Sequence, residues 1–360
     1  MSRFHALTLS DVRRETPDAV SLAFNVPPEL AADFAWQPGQ YLTLRAMLDG
    51  EDVRRSYSIC AGPEDGELRV AVKHVEGGRF SGHANSGLRA GEVLEVMPPV
   101  GRFTLAPAAG PRLVLCFAAG SGITPIISII RDLLAREPET RVMLFYGNRT
   151  IGSILFREAL EDLKNRYLSR LSITHVLSRE KQDVALLNGR LDAEKIRAFT
   201  GRLFDPAIVD DVLVCGPAAM VADVEAVLTQ AGVEKGRIRH ELFLAPDAPA
   251  PGSRPVASAA APARSGNARV TVILDGIRTD IAVPFEGGIS VIEAAEKQGV
   301  DLPYSCKGGV CSTCRCMTRA GEVEMMLNYS LEPWETEAGY VLACQTRPLS
   351  DDIILDFDEA

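Results

Sequence analysis

The chain has 360 residues, of which 46% are hydrophobic and 24% charged, with a formal net charge of −10 at pH 7. That length holds two or three domains with cores of their own, the composition is that of an ordinary soluble globular protein, and the acidic balance argues against a nucleic-acid partner. Met1 to Thr16 carries charges throughout, so no targeting segment is visible, and eight cysteines in so long a chain fit a reducing cytoplasm better than a disulfide framework.

The first hundred residues are short alternating segments: Phe4 to Val12, Ala19 to Val26, Gln40 to Ala46, Arg54 to Ile59, Leu68 to Lys73 and Val93 to Met97. Pro38-Gly39, Gly62-Pro63, Gly77-Gly78 and Pro98-Pro99 punctuate them. Short strands at such intervals predict an antiparallel barrel. Within it, Pro38-Gly39-Gln40-Tyr41, Arg55-Ser56-Tyr57-Ser58 and Gly78-Arg79-Phe80-Ser81 follow in order. Taken alone, Arg-Ser-Tyr-Ser also fits an ordinary half-exposed strand.

From Pro111 strands alternate with helices. Leu113 to Phe117, Val142 to Tyr146, Leu171 to Val176 and Asp211 to Cys215 read as strands; Pro125 to Arg136, Ser153 to Tyr167 and Pro217 to Gln230 read as helices. This predicts an open parallel sheet with crossover helices. Leu113 to Ile130 holds 18 residues without a charge, yet Gly120, Gly122 and Pro125 interrupt it, so it reads as a strand, a loop and a helix start rather than a membrane span. Gly120-Ser121-Gly122-Ile123-Thr124-Pro125 opens that helix and sets amide donors and a positive helix end where a pyrophosphate would bind, although Pro125 replaces the third glycine of the dinucleotide fingerprint. The second strand ends at Tyr146-Gly147-Asn148-Arg149 with no carboxylate at its tip for a ribose 2′-hydroxyl. Arg149, with Ser153 and Arg157 nearby, suits the 2′-phosphate of NADPH, NADH being the alternative. Cys60 and Cys116 lie in no motif and are expected in the core. The sheet ends at Glu241-Leu242-Phe243.

Ala245 to Asn267 is rich in Ala, Pro and Ser, with Pro246, Pro249, Pro251, Pro255 and Pro262 spread along it, and predicts an interdomain linker. Its ends would lie roughly 25 Å apart as a coil and about 70 Å apart as extended polyproline. Beyond it, Arg269 to Leu274 and Arg278 to Val283 alternate around Asp275-Gly276, a hairpin turn pair, and Ile289 to Gln298 is a helical stretch stopped by Gly299. Cys306, Cys311 and Cys314 then stand four and two residues apart, with Cys344 far downstream, the thiolate spacing of plant-type 2Fe-2S proteins. Gly308 and Gly309 let the loop curl its N–H groups toward sulfur, and Ser312 and Thr313 offer hydroxyls. A structural zinc site is the bland alternative. Cys316 is either a ligand in place of Cys314 or a small buried strand residue. From Ala268 on, 7 Lys and Arg stand against 16 Asp and Glu, a net of −9 that leaves −1 for the rest. That acidity either aids solubility or steers docking onto basic surfaces.

The cysteine stretch, with the hairpin and helix before it, resembles the plant-type ferredoxin domain. The Arg-Ser-Tyr-Ser, Gly-Ser-Gly and Cys215-Gly216-Pro217 motifs, in that order, resemble the ferredoxin-NADP reductase superfamily. All three modules together resemble the reductase components of multicomponent oxygenases, the phenylacetyl-CoA epoxidase reductases among them; Arg54 to Cys60, Val96 to Phe103, His175 to Glu180 and Asn328 to Thr346 prompt that narrower likeness. The resemblance implies a multidomain α/β plus β fold: an antiparallel β-barrel binding FAD over 1–108, a parallel α/β nicotinamide-nucleotide domain over 109–244, the linker over 245–267 and a β-grasp ferredoxin domain over 268–360. It implies that Arg55 holds the flavin pyrophosphate, Tyr57 lies against the isoalloxazine, Ser58 bonds near N5, and Gly78 and Ser81 meet the phosphates. Gly120, Gly122, Thr124 and Pro125 would line the nucleotide, with Thr124 where the flavin and nicotinamide meet. Cys215, with Gly216 and Pro217, would sit by the nicotinamide C4, and Phe243 is either a cover for the flavin or a core residue. Cys306, Cys311, Cys314 and Cys344 would hold the cluster. Electrons would pass from NADPH through FAD and the cluster to a di-iron oxygenase partner acting on phenylacetyl-CoA, with no membrane insertion. Two alternatives are a reductase for a steroid, ring-hydroxylating, alkane or alkene oxygenase, and a non-catalytic redox sensor or zinc-stapled binding module.

Overall fold

The structure, a computed structural model, describes residues 4–243 and 265–359. Residues 245–264 of the expected linker lie outside the described residues, and Asn267, its expected last residue, already starts a strand. Two compact units result, the larger from most of the first two expected modules and the smaller chiefly from the third.

The barrel is built from β1 (His5–Thr16), β2 (Ala19–Asn25), β3 (Tyr41–Leu48), β4 (Glu51–Ser58), β5 (Leu68–Lys73) and β6 (Val93–Val96), in the order β4-β3-β6-β1-β2-β5. Period-two alternation sends Leu7 and Leu9 inward and Ala6 and Thr8 outward, and inward residues of all six strands make one core. The two ends of that order meet: Ile59 pairs with Val70, and the Cys60 N–H donates to the Arg69 carbonyl at 2.9 Å. Closure removes unpaired edges that would invite aggregation. One helix was not legible: α1 (Arg79–Ser86) follows Gly78 with only Phe80 and Ala84 as apolar residues, too few to show a period.

The second module runs β7 (Leu113–Ala119), α2 (Ile123–Arg136), β8 (Arg141–Asn148), α3 (Arg157–Arg166), β9 (Leu171–Leu177), α4 (Ala193–Phe199), β10 (Asp211–Gly216), α5 (Ala218–Gln230) and β11 (Ile238–Leu242). Its sheet is parallel throughout, in the order β11-β10-β7-β8-β9. The uncharged run divides as the glycines demand, into β7, a tight turn and α2. Ile126, Ile127, Ile129, Ile130, Leu133 and Leu134 of α2 are all buried, each contributing about 1.5–3 kcal/mol. Part of that apolar face meets the barrel: Ala19, Cys60, Ala71 and Phe103 join the same cluster, and the Ser128 hydroxyl donates to the Ala61 carbonyl at 2.7 Å. Barrel and sheet therefore share a core. Helix α3 begins four residues later than its apolar pattern suggests, because a short turn, Ile151–Ser153, and Phe156 in a left-handed conformation intervene.

The C-terminal unit holds β12 (Asn267–Leu274), β13 (Ile277–Pro284), α6 (Val291–Lys297), β14 (Arg315–Ala320), β15 (Val323–Met325), α7 (Pro333–Glu337), β16 (Tyr340–Leu342), β17 (Thr346–Pro348) and β18 (Asp352–Asp356). The main sheet has the order β13-β12-β18-β14-β16 and α6 packs on it. Asp275 and Gly276 have φ of 52° and 72°, the double positive φ that a two-residue hairpin needs. Ser290 caps α6, its hydroxyl accepting from the Glu293 N–H and its own N–H donating to the Glu293 carboxylate. Among the described residues no helix is long and apolar enough to cross a membrane.

Candidate functional site

In the larger unit β7 feeds β8 and β9 on one side while β10 and β11 lie on the other, so the crevice beyond the C-terminal ends of β7 and β10 is a topological switch point. The Gly120–Gly122 turn and Cys215-Gly216-Pro217 meet there. Gly120 has φ of 54°, and a Cβ on Gly122 would lie 2.1 Å from the Cys215 carbonyl oxygen. The turn thus presses directly on the end of β10, a cradle that only glycine permits. Pro125 sits in the first turn of α2, where no amide partner is lost. The positive end of α2 faces this crevice, the chemistry a pyrophosphate requires. Thr124 is buried and its hydroxyl donates to the Ser121 carbonyl at 3.0 Å, so it fixes the turn.

Parallel register places Cys215 opposite Glu241 on the neighbouring β11. From the barrel, the buried Ser58 hydroxyl donates to Glu241 Oε2 at 3.2 Å. Burial pushes the Glu241 carboxyl up to about 7, against the opposing pull of Ser58. Burial, and then the Glu241 charge, pushes the Cys215 thiol well up, so Cys215 stays a neutral thiol rather than a thiolate nucleophile. Ser58, Cys215 and Glu241 form one polar group at the crevice. Glu241 was missed as a site residue: its only signal is a carboxylate beside Phe243 at the close of the sheet. The Phe243 N–H reaches the Gly216 carbonyl at 3.3 Å, and its ring is half-buried against the shared core.

Of the flavin candidates, Arg55 and Tyr57 stand two residues apart on β4, and Gly78 and Ser81 lie at the start of α1. Tyr57 packs on Phe80 with ring centroids 5.5 Å apart, and Arg55 turns one N–H onto the Arg54 carbonyl at 2.7 Å. The Ser81 hydroxyl accepts from the Val75 N–H and donates to the Gly78 carbonyl, both at 3.1 Å, so it shapes the loop that leads into α1. An arginine, an aromatic ring and a helix start, in that chain order, suit an isoalloxazine and its pyrophosphate.

At the second strand Arg149 is exposed, and its carbonyl accepts the Arg179 N–H at 2.8 Å across the β8–β9 ends. Two arginines therefore stand side by side, of which the sequence pointed to one. Ser153 is committed to a turn with Thr150, and Arg157 pairs with Glu161 at 2.9 Å. The Glu180 carboxylate accepts the Ile151 N–H at 2.8 Å, which ties down the loop between the arginines.

In the smaller unit the cysteine loop is curled by positive φ at Lys307, Gly309 and Ser312. A Cβ on Gly309 would lie 2.9 Å from the Leu327 carbonyl oxygen. The Gly308 N–H donates to Cys306 Sγ at 3.3 Å. The thiols fall into two hydrogen-bonded pairs, Cys306 with Cys311 and Cys314 with Cys344. Hydrogen bonds from Cys311 and from the N–H groups of Val310, Gly308 and Cys311 bring the Cys306 thiol down to about 5, and Thr313 adds a hydroxyl bond to Cys311. Hydrogen bonding to their partners, and burial second, pushes the Cys311 and Cys314 thiols up. Among the described residues no set of three His, Cys, Asp or Glu side chains gathers around one ion. Two thiol pairs suit the two irons of a binuclear cluster, each iron taking two thiolates. Cys314 is the thiol bonded to Cys344; Cys316 is fully buried on β14, its nearest acceptor the Val341 carbonyl at 3.9 Å.

Comparison with known proteins agrees with this division. Residues 6–105 match the oxidoreductase FAD-binding domain, 117–226 the oxidoreductase NAD-binding domain and 273–349 the 2Fe-2S iron-sulfur cluster binding domain. The chain is 46% identical over 359 residues to one of the subunits of 1,2-phenylacetyl-CoA epoxidase from Escherichia coli, covering 99% of each. It is 35% identical to the ferredoxin reductase component of 3-ketosteroid-9-alpha-monooxygenase from Rhodococcus rhodochrous, covering 99% of this chain and 97% of that one. Among solved structures, phthalate dioxygenase reductase shares the fold with a TM-score of 0.59 at 22% identity, over 98% of both chains.

Proposed function

The chain belongs to the reductase components of multicomponent oxygenases that carry FAD-binding, NAD-binding and 2Fe-2S domains, and from that premise we propose that it takes electrons from NADPH and delivers them to the multi-subunit di-iron oxygenase of a phenylacetyl-CoA epoxidase in the cytoplasm. The observation that carries this reading is 46% identity with the epoxidase subunit over 99% of both chains.

We assign the module bounds 1–108, 109–244 and 268–360. FAD, when bound, accepts two electrons as a hydride and releases them singly, and the cluster carries them one at a time. Arg55, Tyr57, Gly78 and Ser81 hold the flavin. The turn at Gly120 and Gly122, with Thr124 and Pro125 behind it, presents N–H donors to the dinucleotide phosphates, and Gly216 and Pro217 keep the far wall of the crevice low. Ser58, Cys215 and Glu241 hold a proton and a hydroxyl donor where flavin and nicotinamide meet, and Phe243 covers that meeting place. Arg149 and Arg179 favour a 2′-phosphate, since Glu180 is already committed to the Ile151 N–H. Cys306, Cys311, Cys314 and Cys344 supply the thiolates for iron.

Reconstitution tests the reading. With the epoxidase oxygenase and phenylacetyl-CoA, NADPH oxidation should yield epoxide in proportion, while the holo-reductase alone reduces ferricyanide and makes none. Epoxide from the reductase alone, or no coupling to the oxygenase, refutes it.

A further inference from the structure

Helix α7 reverses the usual order of inside and outside. Glu335 is 0% exposed, whereas Trp334 beside it is 59% exposed and is, among the described residues, the one aromatic in the set of exposed large hydrophobic side chains. A buried carboxylate costs stability unless it is paired, and Glu335 is paired: its Oε2 accepts the Glu332 N–H at 2.9 Å and caps α7, which leaves the solvated indole as the feature still in need of a reason.

The reason lies in what holds the helix. Glu335 Oε1 stands 2.8 Å from Arg315 Nε, and Arg315 follows the cluster ligand Cys314, with its guanidinium 3.5 Å above the Tyr340 ring. The segment entering α7 hangs on the cysteine loop: the Tyr329 N–H and the Ser330 hydroxyl both donate to the Gly309 carbonyl, at 3.1 and 3.4 Å. The Asn328 side chain accepts the Leu331 N–H at 2.8 Å and fixes the approach. The ion pair thus pins α7 to the start of β14, one residue past Cys314, and the bonds to Gly309 tie its approach to the cysteine loop, so docking there loses little conformational freedom. Glu332 and Glu337, exposed on either side, and the net charge of −9 of the module set the sign of any partner. An anionic surface would be repelled.

We propose that Trp334 is the anchor by which the oxygenase component docks on the 2Fe-2S module, its indole entering an apolar pocket ringed by Lys and Arg. This rests on the reading of the chain as an oxygenase reductase. Rigid, centrally placed tryptophans ringed by charge are what interface hot spots are made of, and an electron acceptor must approach the face that carries the cluster.

The test uses the holo-protein with Trp334→Ala and Trp334→Phe, and the epoxidase oxygenase complex as probe. The Ala variant should bind the complex about 30-fold more weakly, the Phe variant should recover most of that, and ferricyanide reduction and the cluster EPR spectrum should not change. In a Trp36→Phe background, Trp334 fluorescence should shift on titration with the complex. Wild-type affinity in the Ala variant overturns the proposal. If the wild-type reductase does not bind the epoxidase complex at all, the assignment of that oxygenase falls. Cytochrome c, a basic protein with an apolar haem edge, then decides the anchor: a raised KM in the Ala variant supports it and an unchanged KM overturns it.

Discussion

Replacing Glu241 by Gln probes the polar group at the crevice. Burial holds the Glu241 carboxyl at about 7, and its Oε2 lies 3.2 Å from Ser58 Oγ. Protonated, Glu241 donates to Ser58 and leaves the serine O–H to point elsewhere; ionised, it can only accept, and the serine O–H is drawn to it. The direction of one hydrogen bond therefore turns over near neutral pH. If the first arrangement supports hydride transfer, the rate at which NADPH reduces bound FAD should fall above pH 7, approaching about tenfold per pH unit, with about 1% of the carboxyl protonated at pH 9. In Glu241→Gln the amide always donates, so the step should vanish while the rate stays near its low-pH value. The same shift has a sign in stability. Between pH 4.5 and about 7 the folded chain holds a proton that the unfolded chain has released, so stability declines as pH rises through that window. The loss would be about 3 kcal/mol for a carboxyl sealed from water, and less for a residue that keeps some exposure. Anaerobic stopped-flow from pH 5.5 to 9 on both proteins decides. An identical pH step in wild type and Glu241→Gln would refute the argument.

Three further outcomes follow from close contacts. Gly122→Ala would drive a methyl into the Cys215 carbonyl, 2.1 Å away, and should destabilise the larger unit by about 2–4 kcal/mol and abolish reduction of FAD by NADPH; thermal unfolding and absorbance at 450 nm read both. Cys314→Ser should lose the cluster, whereas Cys316→Ser should keep two irons and two sulfides per chain and lose only about 1–3 kcal/mol for a buried hydroxyl, as iron and sulfide assays with urea unfolding would show. Arg149→Ala should raise KM for NADPH about 10-fold or more with little change for NADH, measured by steady-state kinetics with ferricyanide; equal losses for both would move the 2′-phosphate elsewhere.

Features that depend on neighbours in sequence were legible. The cysteine loop, the Asp275-Gly276 turn and the Gly299 stop after α6 are each written within a few residues, and the structure forms all three. Strands read from alternation agree with β2, β5, β9 and β12 to within two residues at either end, while β1 runs on to Thr16 because pairing with β2 carries it past the alternating stretch. Helix α4 was missed, since only Ile196 and Phe199 of it face the core, against four such residues in the equally short α6. What remained hidden was long-range. Ser58 and Glu241 are 183 residues apart, and Arg179 reaches Arg149 only through the register of two parallel strands. No local pattern records such meetings.

The shared apolar wall of α2 has a consequence for how the protein comes apart. With Ala19, Cys60 and Phe103 of the barrel packed into the cluster that holds Ile126 and Ile130, neither the barrel nor the nucleotide sheet can melt while leaving its neighbour intact. Calorimetry should show them as one cooperative transition, and a chain cut between them should expose that wall and aggregate. The C-terminal module has a core of its own, from Ala268 to Phe357, and should give a second, separate peak. The barrel and the nucleotide sheet must therefore travel together in evolution, as one inherited piece.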